Sequence, residues 1–140
     1  MSDVEYLNPP GACPAQGLYS HVTRVRGGTT YYVAGQLAVG EDGEVVGAGD
    51  FDRQFAQVFA NLRAVLNGLG CDFDQIAKLT TYLVHSQDID KFMRARASLF
   101  PTLFKTPAYP PNTLIVIDRL VKEAFLIEVE AIVAARHEET

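Results

Sequence analysis

The chain predicts an α+β domain, a mixed β-sheet with two helices packed on one face. Three observations lead there. Over residues 51–69, Phe51, Phe55, Val58, Phe59, Leu62, Val65, Leu66 and Leu69 recur at helical spacing and form one broad apolar stripe. Over residues 125–133 the pattern switches to period two, with Ile127, Val129 and Ala131 on one face and Glu128 and Glu130 on the other. Strand-like and helix-like runs then alternate in the order β-β-(β)-α-β-α-β-β, so the stripes need a shared sheet to cover them.

Each element has its own local reason. Residues 1–16 are punctuated by Pro9, Pro10, Gly11 and Pro14 and read as an extended lead-in. The β-rich runs 22–26 and 29–36 flank Gly27-Gly28, a two-residue hairpin signal. Asp42-Gly43 marks a tight turn, and 44–46 suits a short edge strand. Asp50 is placed to cap the first helix, and Gly68 and Gly70 to stop it. Residues 72–78 read as a helical turn leading into a strand at 79–85. A second helix starts near Ser86 or Asp88 and runs to about Phe104, with a kink or break at Pro101. Strands at about 113–118 and 124–134 follow, and 135–140 is a charged tail. There are no repeats and no linker, so residues 1–140 read as one domain.

Composition excludes several function classes. The 140 residues are 48% hydrophobic and 21% charged, ordinary values for a folded soluble domain. A net charge of −5 argues against sequence-independent nucleic-acid binding, which needs a basic surface. No apolar run is long enough to span a membrane, and the acidic start has no signal-peptide core. Cys13 and Cys71 fit no metal spacing and read as reduced thiols. The plain expectation is a cytoplasmic protein.

One set of strings is more specific. Gly-Leu-Tyr-Ser at 17–20, Val-Ala-Gly-Gln at 33–36, Leu-Thr-Thr-Tyr-Leu-Val at 79–84 and Ile-Glu-Val-Glu-Ala-Ile at 127–132 stand in the order found in the RidA (YjgF) family. The Pro-rich segment 107–120, ending in Asp118-Arg119-Leu120, belongs to the same pattern. The resemblance covers roughly residues 15–135. It implies a RidA/chorismate mutase-like sheet, a homotrimer with the sheets facing the axis, and a ligand cleft at each subunit boundary. It also implies cofactor-free hydrolysis of small enamines or imines; some relatives have been described as ribonucleases, which this acidic composition does not support. The apolar strand residues Tyr31, Val33, Leu79, Tyr82, Val84, Leu114 and Val116 cannot all lie under two helices, which independently favours a partner on the open face.

The resemblance also assigns roles. Glu128 matches the glutamate that positions the attacking water, Tyr19 a tyrosine beside the ligand, and Gly35 a glycine that lets backbone approach it. His21, two residues from Tyr19, shares its face if that segment is extended and is a candidate proton shuttle. Glu130 reads as an ion-pair partner, with Arg119 one candidate. His85 and His137 carry no signal.

Two positions depart from the deaminating pattern. Asn112 stands where such members carry a carboxylate-binding Arg, and a neutral amide has no bidentate cationic fork. Ala34 stands where many carry Ser. Asn112, with Thr113, Tyr109 and Phe92, is expected to line the ligand site, where Pro110, Pro111 and Tyr109 would make a rigid apolar wall. Arg96 falls in the middle of an apolar helix face: it pairs with a carboxylate at a subunit boundary or restores charge to the cleft. Three functions compete: an imine hydrolase with altered substrate, a standard deaminase, and a non-catalytic binding trimer.

Overall fold

In the computed structural model, which describes residues 3–135, the sheet forms from strands far apart in the chain. The strands are β1 (Val4–Leu7), β2 (Val22–Val25), β3 (Thr29–Gln36), β4 (Ile76–Leu83), β5 (Asn112–Val116) and β6 (Ile127–Ala135). The helices are α1 (Phe51–Gly68) and α2 (Asp88–Leu103), with a 3-10 turn at Phe73–Gln75. The main sheet runs β3-β6-β4-β5. β6 is antiparallel to both neighbours, whereas β4 and β5 are parallel and joined through α2. The expected α+β arrangement, two helices against a mixed sheet, is what forms.

The helices begin and end for local reasons. Asp50 accepts the Arg53 amide at 3.1 Å and caps α1, and Gly70 takes the left-handed backbone just past its end. Phe51, Phe55, Val58, Phe59, Leu62 and Leu66 then bury one face of α1. Phe92, Arg96 and Phe100 do the same for α2 at intervals of four residues. Edge-to-face contacts of Phe55 with Phe92 at 5.7 Å and Phe59 with Phe100 at 5.6 Å lock the two helices together. Pro101 neither breaks nor splits α2. It sits in the last turn, where few helical bonds remain to be lost.

Several sequence expectations are corrected. The lead-in contains a strand, β1, which pairs with β2 in a separate two-stranded sheet. Gly27 and Gly28 do turn the chain, both at positive φ, but β3 pairs with β6 rather than with β2. The turn redirects the chain between two sheets instead of closing a hairpin. The strand expected at 44–46 reduces to a single bridge between Val39 and Val45, and β4 begins three residues earlier than foreseen, at Ile76. Ala135, expected to open the tail, is the last residue of β6, and residues 136–140, His137 among them, lie outside the described residues.

The faces of the sheet were also misassigned in part. Val33 and Leu79 are core residues, and Tyr31 and Leu114 pack against that core. The open face carries Tyr32, Tyr82, Ile115 and Ile132 together with Lys78, Thr80, Thr113, Glu128 and Glu130, as the register requires. It is more polar than the sequence suggested, although Tyr32 remains 80% exposed and Ile115 40%.

One buried polar side chain holds the layers in place. Gln54 is fully buried on α1, donates to the carbonyls of Gly47 at 3.1 Å and Ala124 at 2.8 Å, and accepts from the Leu126 amide at 2.8 Å. It thereby fixes the chain entering β6 just before Glu128. Gln54→Leu keeps the volume and strands these backbone groups, so it should destabilise by about 2–4 kcal/mol. A urea midpoint equal to wild type would show that solvent satisfies them instead.

Candidate functional site

Glu128 lies on the open face because period two in β6 gives the core Ile127 and Val129 and leaves the glutamates outward. Its carboxyl group folds across Gly35: a Cβ built there would collide with the Glu128 side chain. Any larger residue at 35 would displace the carboxylate, which gives that glycine a reason apart from backbone freedom. Partial burial, and then the charge of Glu130, push the Glu128 carboxyl above its ordinary value. Across the strand pair, the Tyr82 hydroxyl donates a short hydrogen bond to Glu130. That bond raises the Tyr82 hydroxyl in turn. Glu130 is therefore paired with a phenol, while Arg119 pairs with Glu123 at 3.4 Å, and the expected Arg119 partnership does not form. Two carboxylates on one strand face, one tied to a donor and one with its proton affinity raised, can divide structural and proton-transfer roles.

Asn112 falls elsewhere. Its Oδ1 accepts from the buried Thr81 hydroxyl at 2.8 Å, and by register it stands beside Leu79 on the helix-covered face. Thr113 points to the other face and accepts from Lys78 at 2.8 Å, so these adjacent residues do not line one wall. Glu128 is opposite Tyr82, whereas Asn112 is opposite Leu79 and, one strand further, Ala131. The two candidates are thus two strands apart and on opposite faces. Tyr109 and Phe92 are core residues, 9% and 1% exposed; Tyr109 stacks with Phe100 and Phe104 rather than lining a cleft.

The third group gathers around Arg96. This residue is 3% exposed. Its Nη2 donates to the Met93 sulfur at 3.1 Å, and its guanidinium lies 5.0 Å from the centre of the Phe92 ring. The same nitrogen occupies the space where a side chain at Gly17 would begin. Burial lowers its proton affinity and nearby Tyr19 opposes that shift. Among the described residues of this one chain no carboxylate pairs with it; the ion pair expected at a subunit boundary would involve a second copy. The Tyr19 hydroxyl accepts the Gln16 amide at 3.1 Å, and its ring meets His21 edge-on at 5.9 Å. His21 is held by its own bonds: Nε2 lies 2.6 Å from the Cys13 carbonyl, and its amide donates to Asn8 Oδ1. A carbonyl only accepts, so Nε2 must donate, leaving Nδ1 as the nitrogen free for other chemistry.

Among the described residues, no hydrogen bond, ion pair or ring contact joins the Glu128 group to the Arg96 group, and no cluster of acids, histidines or cysteines could hold a metal ion. No helix among the described residues is long and apolar enough to cross a membrane. A groove of about 660 Å³ lies between α1 and α2 over Phe55, Phe59, Leu99 and Leu103, and includes none of the candidate residues. Sequence reasoning missed Tyr82 as a polar partner. The signal was there: alternation places Tyr82 and the glutamates on one face, and a half-buried phenol needs an acceptor.

Comparison with known proteins agrees with the fold. The family described as Endoribonuclease L-PSP matches residues 11–135. A RutC family protein of Pyrococcus horikoshii is 32% identical over 117 residues, covering 83% of this chain and 86% of its own. A protein of Dermatophagoides farinae named 2-iminobutanoate/2-iminopropanoate deaminase is 25% identical over 133 residues, 95% of this chain and 98% of its own. Among solved structures, the Rid protein YyfB of Yersinia pestis, of unknown function, superposes with a TM-score of 0.84 at 29% identity, covering 96% of this chain and all of its own.

Proposed function

The chain belongs to the RidA (YjgF), or Endoribonuclease L-PSP, family, and from that premise we propose that it hydrolyses a small imine or enamine other than 2-aminoacrylate. The observation that carries this reading is Glu128, a carboxyl of raised proton affinity folded over Gly35. The reaction needs a group that accepts a proton from water as its oxygen adds to the C=N carbon. The same group returns that proton to nitrogen to give the carbinolamine, then relays the carbinolamine hydroxyl's proton to nitrogen as C=O forms, the carbon–nitrogen bond breaks and ammonia leaves. A carboxyl whose affinity has been moved towards neutrality suits both halves. Tyr82 holds Glu130, whose charge helps set the Glu128 affinity. Asn112 argues for the changed substrate, because it carries no charge and its side-chain oxygen accepts from neutral Thr81.

The site is read as shared between copies of the chain. Glu128 and Asn112 lie on opposite faces of one sheet, so a single ligand touches both only where a second copy supplies one of them. Exposed Tyr32 and Ile115 on the open face suit such a contact. A homotrimer is expected, three times the 15.4 kDa chain mass. Light scattering at micromolar concentration checks it, and a monodisperse monomer would remove the shared site.

A non-catalytic binding trimer is the competing reading, favoured by Asn112. Incubation with imines made in situ by amino-acid and amine oxidases, followed as loss of the imine signal, separates the two. Hydrolysis above the buffer rate is expected; buffer-rate decay across both imine classes would leave the binder.

A further inference from the structure

Arg96 has an unusual set of neighbours for a buried cation. A guanidinium presents five N–H donors, yet among the described residues its one hydrogen bond is to a thioether, a weak acceptor. Removing such a charge from water is unfavourable unless an anion compensates it, and no carboxylate does so among the described residues. The guanidinium tip is bounded on one side only by Gly17, which is exposed and whose missing side chain leaves the room that Nη2 occupies.

We infer that Arg96 is a recessed anion-binding group of this chain, which takes a small carboxylate reached past Gly17 and beside Tyr19. The inference rests on the hydrolase reading only in identifying that carboxylate as part of the substrate. Phe92 beneath the guanidinium and Met93 beside it fix the cation's position without neutralising it, so a ligand meets a preformed charge. The cation lies against Gly17 rather than at Asn112, the position that binds an α-carboxylate in deaminating relatives. The acid group of the substrate is accordingly displaced from the α position, on an imine longer than 2-aminoacrylate.

The test is titration of the full-length chain with butanoate and, as a neutral match, butanamide, followed by calorimetry. Wild type should bind butanoate and discriminate against butanamide. Arg96→Met should weaken butanoate about ten- to hundred-fold, the loss of charge-assisted hydrogen bonds, with butanamide unchanged. Gly17→Ala, at an exposed position with ordinary backbone, should push the guanidinium aside and weaken butanoate several-fold. It serves as the deciding variant if Arg96→Met fails to fold. Equal affinity for acid and amide in wild type, no butanoate binding, or butanoate binding indifferent to both variants overturns the proposal. Arg96-dependent butanoate binding in a chain that hydrolyses no imine would remove the hydrolase reading and leave this site standing.

Discussion

Glu128→Gln is expected to lower imine turnover about a hundred-fold or more while leaving ligand affinity and the thermal midpoint close to wild type. An amide keeps the size of the side chain and its place over Gly35, but it cannot accept the proton that the attacking water must lose. Strand pairing in β6 is main-chain and survives the change. The pH profile supplies a second readout with a definite sign. Burial and the neighbouring Glu130 raise the Glu128 carboxyl, and the reactive form is the carboxylate. Activity should therefore rise with pH through a value above the ordinary glutamate range. Glu130→Gln removes the second cause of the shift and should move that limb to lower pH. Equal turnover in wild type and Glu128→Gln, on an imine that wild type hydrolyses, would sink the assignment.

The second large effect concerns what this chain should do badly. Ammonia release from enzymatically generated 2-aminoacrylate should be about thirty- to a thousand-fold slower than for a relative carrying Arg at position 112. That range corresponds to losing roughly 2–4 kcal/mol of charge-assisted bidentate contact in the transition state. Arg96 does not repair the loss, because its guanidinium is held against Gly17, Met93 and Phe92 rather than at Asn112. Comparable rates would mean that Asn112 is no barrier and that Arg96 reaches an α-carboxylate after all. Longer imino acids are the more informative substrates, since they separate reach from charge.

How much of this was legible beforehand differs by level. The α1 stripe, its Asp50 cap and the alternation of β6 follow from side-chain spacing and local hydrogen bonding, so the chain alone determined the elements that carry Glu128 and the face on which it lies. The four ordered strings were enough to name the family. Partnership was another matter. Gly27-Gly28 specified a turn, but which strands lie beside β2 and β3 depended on where β1 and β6, distant in sequence, found their register. The same holds for the site. Alternation within a strand places Asn112 and Thr113 on opposite faces, yet only the β4–β5 register shows that Asn112 joins the helix side and Thr113 the side of Glu128. Tyr109 went to the core because its ring packs on Phe100 and Phe104, and Phe92 because it meets Phe55 across the helix pair. The helical wheel put Arg96 on the buried face correctly, but nothing local could say that its neighbours within the chain would be a sulfur, a ring and a glycine. Periodicity is set by the backbone of one element, whereas the partner of a side chain is set by elements that meet only when the chain is folded.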